Sequence, residues 1–327
     1  MASPEFDLIS RYFARPFVPH NSGTVLGIGD DCALMQIAPG RELAVSTDTL
    51  VAGVHFFADV RASRLGHKAL AVNLSDLAAM GAEPRWFTLA LTLPENNPQW
   101  LEGFSRGLFT LADQAGIQLI GGDTTRGPLS ITITVLGEVP AGKALRRDRA
   151  RAGDEVWVSG TLGDAALGLR SLQGALTLSP AARAAAIDRL EMPSARIELG
   201  KRLLALELAH AAIDISDGLV ADLGHICERS SLGAEIRMRD VPLADAFATV
   251  DPGLRAECAL AGGDDYELCF IAPQSAHARI DELGAQLGLR LTFIGSMRAG
   301  KGVTVLDANG QAVSVKNAGF DHFSPHG

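Results

Sequence analysis

The sequence predicts an α/β fold with two domains, built on mixed sheets packed with helices. Three observations carry this prediction. The chain has 327 residues, and a length of about 100–200 residues per domain favours two domains. Short strand-like runs alternate with longer helical runs in both halves. Between the halves, residues 141–154 are polar and rich in arginine, so they are the predicted linker between domains 1–140 and 155–327.

The spacing of apolar residues defines the elements of the first domain. Residues 6, 9 and 13 are apolar and three or four positions apart, which is typical of one face of a helix. Ile131, Ile133 and Val135 alternate with threonines, which is typical of a strand with one buried face. In chain order the predicted elements are a helix at 6–13, a strand at 43–47, a helix at 65–80, a strand at 86–93, a helix at 98–115 and strands at 117–120 and 130–137.

The second domain repeats the alternation of strands and helices. Its last element is a predicted hairpin, because Asn309 and Gly310, a pair typical of a type I′ turn, separate two strand-like runs. In chain order the predicted elements are a strand at 155–159, a helix at 163–172, two helices within 180–208, a strand at 212–215, a helix at 219–228, a strand at 266–272, a helix at 275–287 and hairpin strands at 303–307 and 312–313.

Composition argues against several partners and compartments. The net charge is −9, which disfavours a broad basic surface for nucleic acid. No apolar run reaches the ~18–20 residues of a membrane span, and the acidic start of the chain does not predict a signal peptide. The four cysteines form no C-x-x-C pair and no zinc-like spacing with histidine. We therefore expect reduced, mostly buried thiols in a cytoplasmic protein that binds neither nucleic acid nor membrane.

Aspartates form the most informative pattern in the chain. Six short segments place a carboxylate beside glycine, serine or threonine, just past an apolar run or on a helix. They are residues 27–31, 46–48, 73–76, 121–123, 214–217 and 263–265. Such positions are expected to converge on one edge of a sheet, where α/β proteins place their ligands. Because carboxylates held together repel, the cluster needs cations, and an all-oxygen donor set suits Mg²⁺ or Mn²⁺ bound together with substrate phosphates.

One aspartate of this pattern lies on a predicted helix. At about 3.6 residues per turn, Asp76 shares a helix face with Asn73 and Met80. The surrounding residues of that helix are mostly apolar, and a carboxylate in such a face is costly unless it has a partner. We therefore interpret Asp76 as a metal ligand rather than as a solvated helix residue.

Two glycine-rich segments are candidates for phosphate loops. Residues 137–143 fit the spacing of a P-loop, but Ala144 stands where a P-loop has Ser or Thr, and Pro140 interrupts the loop. We interpret this segment as a turn at the end of a strand. Residues 159–164 precede a predicted helix, which leaves open the binding of a phosphate at the helix N-terminus.

Seven segments carry motifs in a fixed order along nearly the whole chain. They are 27–33 (GIGDDCA), 46–55 (STDTLVAGVH), 68–81 (KALAVNLSDLAAMG), 121–127 (GGDTTRG), 213–219 (IDISDGL), 262–268 (GGDDYEL) and 319–323 (GFDHF). Together they resemble the thiamine-monophosphate kinase family. The resemblance implies the fold of the aminoimidazole ribonucleotide synthetase superfamily, with two α/β domains per chain and N-terminal domains that pair in a homodimer.

The resemblance also implies an activity, the phosphorylation of thiamine monophosphate to thiamine diphosphate by ATP and Mg²⁺. The implied metal ligands are Asp30, Asp48, Asp76, Asp123 and Asp214, with Ser46 and Thr47 assisting and Asp217 a further ligand. The implied nucleotide contacts are Gly122, Asp123, Arg147 and Ser216, and the implied contacts to thiamine phosphate are His55, Asp264 and Phe320. The residues expected to be catalytic are Asp48, Asp76, Asp123 and Asp214.

Two positions depart from the family pattern. The family often has Glu where Asp264 stands, so the substrate contact is one methylene shorter in this chain. It commonly has Tyr or Trp where Phe320 stands, so ring stacking is kept while a polar contact is lost. Neither position is an implied metal ligand, and both departures therefore bear on substrate affinity more than on the type of reaction.

Three alternatives stand beside the kinase. Another member of the superfamily would share the ATP site but catalyse a different reaction; a selenophosphate synthetase is disfavoured, because residues 1–23 contain neither Cys nor Lys. A Mg²⁺-dependent phosphohydrolase would release phosphate without an acceptor. A nucleotide-binding module without activity is disfavoured, because all six aspartate segments are intact. For the kinase, a phosphate monoester with its second pKa near ~6 is anionic at neutral pH, so direct in-line transfer needs no general base.

Overall fold

The structure is a computed structural model, and it describes residues 4–15, 23–313 and 319. The chain divides between Lys143 and Ala144 into two compact units, except that Ala78–Gly81 group with the second unit. Residues 141–154 contain neither helix nor strand. Within the described ranges, no helix combines the length and the apolar character needed to span a bilayer.

The first unit is built on a four-stranded sheet. In chain order its elements are α1 (Pro4–Tyr12), β1 (Thr24–Leu26), β2 (Leu34–Met35), β3 (Arg41–Val51), α2 (Ala62–Ala79), β4 (Glu83–Leu93), α3 (Pro98–Ala115), β5 (Gln118–Arg126) and β6 (Ser130–Pro140). The sheet order is β3-β6-β4-β5, with β4 and β5 parallel and the other two pairs antiparallel. Strands β1 and β2 form a separate antiparallel pair.

Alternation along β6 gives this sheet one covered face and one open face. Ile131, Ile133 and Val135 are almost fully buried on the covered face. Thr132 and Thr134 point to the open face and are partly exposed. The half-buried strand predicted from the alternation of apolar residues and threonines is therefore confirmed.

Strands β3 and β5 extend well past the segments predicted from sequence. Polar residues of β3 continue the strand because they pair with threonines of β6, and Thr47 Oγ1 lies 2.9 Å from Thr134 Oγ1. As a result, Asp48 and Asp123 lie inside strands. The expectation that the aspartates sit at strand ends is wrong for these two, since cross-strand pairing continues the ladder through a polar stretch.

The second unit is built on a seven-stranded sheet. In chain order its elements are β7 (Glu155–Ser159), α4 (Asp164–Leu172), α5 (Pro180–Glu191), α6 (Ile197–Ala205), β8 (Ala211–Asp214), α7 (Leu219–Ser230), β9 (Gly233–Arg237), α8 (Pro252–Ala261), β10 (Leu268–Ala272), α9 (His277–Leu287), β11 (Leu291–Arg298), β12 (Gly302–Leu306) and β13 (Ala312–Val313). The sheet order is β13-β12-β9-β11-β7-β10-β8, with β9 and β12 parallel and the other pairs antiparallel.

Both faces of the central strands of this sheet are buried. Along β7, Val156 and Val158 point into one apolar core and Trp157 into another. Leu223 of α7 belongs to the first core and Leu283 of α9 to the second. Strands covered on both faces are continuous apolar runs in sequence, which is why β7 and β10 are predicted well.

Five elements are not predicted from the sequence: β9, β11 and α8 in the second unit, and β1 and β2 in the first. Strand β9 lies between β11 and β12, where Ala234 and Ile236 are buried although the segment reads GAEIR. Its burial comes from neighbouring strands rather than from its own propensity. Helix α8 begins at Pro252 with Asp251 as N-cap, which is a start signal that the sequence does contain.

The predicted hairpin of β12 and β13 is confirmed, but its turn is not type I′. A type I′ turn needs positive φ at both central residues, and here Gly310 has a φ of 77° while Asn309 is not in that region. The side chain of Asp307 explains the difference, because its Oδ1 accepts the N–H groups of Asn309 and Gln311, each at 2.8 Å. These bonds favour a three-residue loop with glycine at the left-handed position.

Candidate functional site

A polar cluster lies on the covered face of the first unit, where β3 meets α2. Ser46 Oγ donates to Asp76 Oδ2 at 2.5 Å, and the backbone N–H of Asp48 donates to Asn73 Oδ1 at 3.1 Å. Asn73 Nδ2 in turn donates to the backbone oxygen of Ala69 at 3.0 Å. The polar helix face predicted from sequence is thus the face that meets β3. We refer to Ser46, Asp48, Asn73 and Asp76 as the β3–α2 cluster.

The two carboxylates of the β3–α2 cluster repel each other. Burial, and then the nearby charge of Asp76, raise the pKa of Asp48 from 3.8 to about 6. A bound cation would relieve this repulsion, and hydroxyl and carboxylate oxygens suit Mg²⁺, which proteins often hold through one or two carboxylates. No group of three or more His, Cys, Asp or Glu side chains among the described residues is arranged to hold a metal ion.

Two other predicted ligands of the first unit lie away from this cluster. Thr47 points to the open face, where its hydroxyl meets that of Thr134. Asp123 is exposed on β5 and lies in register with Ala90 of β4, which is also exposed. The structure therefore brings Ser46, Asp48 and Asp76 together on the covered face. Thr47 and Asp123 lie on the open face instead, because side chains alternate along a strand.

Glycine is required at two of the motif positions. Gly122 has a φ of 153°, and a Cβ there would lie 1.9 Å from the backbone oxygen of Leu89. A Cβ on Gly263 would lie 2.4 Å from the backbone oxygen of Ser216. At both positions two backbone segments approach more closely than any side chain would allow.

Asp30 and His55 lie in turns of the first unit. Asp30 is exposed, and its Oδ1 accepts the N–H of Asp31 at 2.8 Å. His55 follows β3, and its Nδ1 accepts the N–H of Val51 at 3.0 Å. Because Nδ1 is an acceptor, a neutral His55 carries its proton on Nε2, which makes that atom a hydrogen-bond donor.

In the second unit, Asp214 ends β8 and is buried, and a loop with Ser216 and Asp217 follows it. This loop is organised by Asp222, which the sequence analysis did not single out. Asp222 Oδ2 accepts the N–H groups of Ser216, Asp217 and Gly218 at 3.0, 3.1 and 3.1 Å. The available sequence signal was an acidic residue in the first turn of a helix.

We expect Asp222 to make the stability of the metal-free chain depend on pH. Burial first, and then the charge of Asp217, raise the pKa of Asp222 from 3.8 to about 7. Because the folded chain holds this proton more tightly than the unfolded chain, the free energy of unfolding falls as the pH rises from about 4 to about 7. Asp222→Asn should reduce that fall, as measured by urea unfolding across this pH range.

Asp222→Ala provides the comparison. It removes the shared acceptor of three backbone N–H groups, so we expect a loss of about 2 kcal/mol in the free energy of unfolding at pH 4. The loss should become smaller toward pH 7, because the wild type loses stability over this range and the alanine variant has no carboxyl to titrate. An Asp222→Asn chain with the same pH dependence as the wild type would show that this carboxyl does not titrate in the range given.

A second loop of the second unit runs beside the first. The N–H of Asp264 donates to the backbone oxygen of Ser216, and the N–H of Tyr266 donates to that of Ile215, each at 2.8 Å. The N–H of Ile215 donates back to the oxygen of Glu267 at 2.8 Å. The structure thus brings Asp264, predicted to face thiamine phosphate, next to Ser216, predicted to face the nucleotide.

Gly319 is the last described residue, and it packs on the loop after β8. A Cβ on Gly319 would lie 3.1 Å from the backbone oxygen of Asp217 and 2.6 Å from the Cβ of Ala221. This places the start of the terminal GFDHF motif beside a predicted metal ligand. The predicted substrate contact Phe320 lies outside the described residues.

The glycine-rich segment 159–164 is not an open phosphate loop. Asp265, which is 1% exposed, accepts the N–H of Gly163 at 2.7 Å and that of Ala165 at 3.4 Å. Burial raises the pKa of Asp265 well above its usual range. The donors that a phosphate would need at the start of α4 are bound to a carboxyl of the chain, which decides against the phosphate interpretation that the sequence left open.

Glu267 is the centre of a buried ion-pair network that the sequence analysis missed. Its carboxylate accepts bonds from Arg189 Nη2 at 2.7 Å, Arg196 Nε at 2.6 Å and Ser159 Oγ at 2.5 Å. Arg196 Nη2 adds a further bond to the same carboxylate. Arg189 Nη2 also donates to the backbone oxygen of Asp265 at 3.3 Å. The network joins β7, α5 and the segment that leads into β10.

Arg147 is exposed in the segment 141–154. Its backbone oxygen accepts the hydroxyl of Ser230 at 2.8 Å, and the same hydroxyl accepts the N–H of Ala150 at 3.2 Å. Ser230 is the last residue of α7. The segment is therefore anchored on the end of α7, while Arg147 itself stays exposed.

Comparison with known proteins gives the class of protein first. The model of the family "AIR synthase related protein, N-terminal domain" matches residues 29–139. The model of the family "AIR synthase related protein, C-terminal domain" matches residues 151–308. The thiamine-monophosphate kinase of Escherichia coli (strain K12) is 49% identical over 326 residues, covering 99% of this chain and 99% of that protein.

Two solved structures agree with this result. The crystal structure of thiamine-monophosphate kinase from Stenotrophomonas maltophilia K279a is 49% identical, with a TM-score of 0.82, covering 94% of this chain and 96% of that chain. The structure described as "AaThiL complexed with AMPPCP and TMP" is 31% identical, with a TM-score of 0.76, covering 97% of this chain and 96% of that chain. The chain belongs to the thiamine-monophosphate kinase family of AIR synthase related proteins, which confirms the predicted fold class and the resemblance of its motifs.

Proposed function

We propose that this chain transfers the γ-phosphoryl group of ATP to the phosphate of thiamine monophosphate, which gives ADP and thiamine diphosphate. The proposal is supported by 49% identity to the Escherichia coli kinase over nearly the whole length. It is also supported by the related structure that holds AMPPCP, a methylene analogue of ATP, together with TMP. The observation in this chain that carries it is the β3–α2 cluster, whose repelling carboxylates suit a cation bound together with phosphates.

Within this proposal, several Mg²⁺ ions are bound by aspartates and hydroxyls of the chain. The assigned ligands are Asp30, Asp48, Asp76 and Asp123 with Ser46 and Thr47 in the first unit, and Asp214 and Asp217 in the second. Mg²⁺ bound there supplies positive charge that offsets the repulsion between ATP and the acceptor phosphate. The raised pKa of Asp48 supports this assignment, because a proton and a cation compete for the same carboxylate.

The groups of the chain orient two polyanions rather than move a proton. At neutral pH the acceptor phosphate, with a second pKa of about 6, is already anionic and nucleophilic. His55 is therefore assigned as a donor to the substrate through Nε2–H and not as a general base. Transfer is direct and in line, and no side chain of the enzyme is phosphorylated.

The remaining contacts are assigned on the same basis. Gly122, Asp123, Arg147 and Ser216 contact the nucleotide, and His55, Asp264 and Phe320 contact thiamine phosphate. The hydrogen bond from Asp264 to Ser216 supports this assignment, since it keeps one nucleotide contact and one substrate contact side by side.

Product analysis tests the proposed reaction. The chain is incubated with ATP, Mg²⁺ and thiamine monophosphate, with unphosphorylated thiamine as the control acceptor. We expect ADP and thiamine diphosphate in equal amounts from the monophosphate, and no phosphorylated product from thiamine. Phosphate release that needs no acceptor would indicate a phosphohydrolase, and ATP turnover without phosphorylated thiamine would indicate another reaction of the superfamily. Either result would contradict the proposal.

We also propose that the chain forms a homodimer through β3, at one edge of the first sheet. Strand β3 is one of the two edge strands, and three of its apolar residues, Leu43, Val45 and Val51, are 36%, 56% and 37% exposed. A long, exposed edge strand with apolar side chains is usually covered in a stable protein. A second copy of the chain would cover it, consistent with the pairing of N-terminal domains implied by the family motifs.

Val45→Lys tests the homodimer. Because Val45 is largely exposed, a lysine there should leave the fold intact while it places a charge in the interface. We expect sedimentation analysis to show a dimer for the wild type and a monomer for Val45→Lys. Val25→Lys is the matched control, since Val25 is 66% exposed on β1 and outside the proposed interface. A wild-type monomer, or a Val45→Lys dimer of unchanged affinity, would contradict the interface.

We propose a cytoplasmic location and domain limits of 1–140, 141–154 and 155–327, with the middle segment as linker. Three cysteines, Cys227, Cys258 and Cys269, are buried as free thiols. Burial raises the pKa of Cys227 to about 11, so this thiol stays protonated and unreactive. Buried free thiols are typical of proteins in a reducing compartment.

A further inference from the structure

We propose that Tyr266 is a positioning residue that fixes the carboxylate of Asp264 and thereby sets the affinity of the enzyme for thiamine monophosphate. The inference deepens the proposed function and rests on it, because Asp264 is assigned there as a substrate contact. Tyr266 belongs to none of the nucleotide, metal or substrate contacts assigned above.

The backbone on both sides of Asp264 is held in place. The N–H of Asp264 donates to the backbone oxygen of Ser216, and the N–H of Tyr266 donates to the backbone oxygen of Ile215, each at 2.8 Å. A Cβ at Gly263 would collide with the oxygen of Ser216, so the chain enters Asp264 in tight contact with the neighbouring loop. With the backbone fixed, the direction of the Asp264 carboxylate depends on its side-chain torsions.

The hydroxyl of Tyr266 restrains the side-chain torsions of Asp264. It donates to Asp264 Oδ1 at 3.1 Å, and the Tyr266 side chain is almost buried, with 9% of the residue exposed. A hydrogen bond to a charged acceptor from a nearly buried donor is stronger than one made in water. It therefore restrains the carboxylate before the substrate arrives.

The backbone conformation of this segment costs free energy. Asp264 and Tyr266 have φ values of 69° and 50°, and only Glu207 and Ser231 share this feature among the other described residues that are not glycine. Non-glycine residues with positive φ are disfavoured and cluster at functional sites. Two of them, separated by a single residue, place the tyrosine hydroxyl within hydrogen-bond distance of the carboxylate.

The chemistry of the substrate explains why the restraint matters. Thiamine monophosphate carries a positive thiazolium ring and an aminopyrimidine, and a carboxylate is the natural partner of either group. Asp264 is one methylene shorter than the glutamate that the family often has at this position. A short carboxylate reaches a cationic substrate in fewer orientations, so a group that fixes its direction has a larger effect on binding.

Tyr266→Phe removes only the hydroxyl and keeps the ring. We expect the KM for thiamine monophosphate to rise about 5–10-fold, the value of one lost hydrogen bond, while kcat and the KM for ATP stay near wild type. The chain has two tyrosines, so Tyr12→Phe is the matched control and should change neither constant. A structural role of the ring alone would leave both KM values of Tyr266→Phe unchanged and would overturn the proposal.

Asp264 variants separate failure of this inference from failure of the assigned substrate contact. Asp264→Ala should raise the KM for thiamine monophosphate at least as much as Tyr266→Phe, and the double variant should add little to the effect of Asp264→Ala alone. If Asp264→Ala raises this KM but Tyr266→Phe does not, the inference about Tyr266 fails and the substrate contact stands. If Asp264→Ala leaves it unchanged, the substrate contact itself fails and the inference falls with it.

Asp264→Glu supplies an independent variant that keeps the charge. It moves the carboxylate one methylene away from the tyrosine hydroxyl, so the effect of Tyr266→Phe should become smaller in this background. An undiminished effect would show that the hydroxyl acts by another route than the carboxylate and would overturn the proposal.

Discussion

Replacing Asp48 with asparagine is expected to reduce thiamine diphosphate formation by at least about 10³-fold, and at the same time to raise the Tm of the metal-free chain. The expected loss of activity follows from the proposal that Asp48 is an anionic Mg²⁺ ligand in the β3–α2 cluster. The gain in stability follows first from the burial of the Asp48 charge and then from its repulsion by Asp76, because asparagine keeps the shape of the side chain but carries no charge.

The pH dependence of this gain follows from the pKa of Asp48. The folded chain raises that pKa from 3.8 to about 6, so the folded state prefers the protonated form. The cost of ionisation is absent below about pH 4, grows as the pH rises and is complete above about pH 6, where a shift of this size corresponds to about 3 kcal/mol. The difference in Tm between Asp48→Asn and wild type should therefore be large at pH 8 and small at pH 4.

Asp59→Asn is the control for this experiment, since Asp59 is an exposed aspartate of the same unit. It should change neither turnover nor Tm. Near-normal turnover in Asp48→Asn would remove Asp48 from the proposed metal site. A Tm at pH 8 that stays at or below that of the wild type would show that the ionised Asp48 carboxylate does not destabilise the folded chain.

Replacing Glu267 with glutamine is expected to lower the free energy of unfolding by about 3–5 kcal/mol. Glu267 is fully buried, and Arg189 and Arg196 both bind its carboxylate. Glutamine keeps the size of the side chain but leaves two largely buried guanidinium groups with one negative partner fewer. Urea unfolding followed by circular dichroism measures the change.

Glu257→Gln is the matched control for Glu267→Gln. Glu257 pairs with Arg170 in the same unit, but its side chain is 58% exposed. Exposed ion pairs contribute at most about 1 kcal/mol, so the same change of charge should have little effect there. Equal effects of the two substitutions would show that burial of Glu267 does not determine the strength of its network.

The sequence predicts those elements whose own pattern of apolar and polar residues shows which side chains are buried. The alternation in β6 and the apolar run of β7 are examples, and both strands are found where they are predicted. Strand β9 escapes prediction because neighbouring strands bury it, and the turn after Asp307 differs because one side chain accepts two backbone N–H groups. Such features depend on contacts with other residues of the folded chain, which a local sequence pattern does not reveal.

The same distinction holds for the candidate site. A carboxylate in the apolar face of α2 predicts a partner for Asp76, and the structure supplies Ser46, 30 residues away. Glu267 contacts Ser159 across 108 residues, and nothing in either segment indicates the other. Asp222 stands five residues after Asp217 and was within reach of sequence analysis, but its three bonds to backbone N–H groups depend on the path of the loop.

The central claim is direct transfer of a phosphoryl group from ATP to thiamine monophosphate, and a single-turnover experiment with ATP labelled in the γ-phosphate tests it most directly. The reaction is quenched at short intervals, and the label is followed in ATP, protein, free phosphate and thiamine diphosphate. We expect the label to pass from ATP to thiamine diphosphate at the rate at which ADP appears, with none on the protein at any time. Label that enters the protein first and then chases into product, or that appears only as free phosphate, would contradict the account.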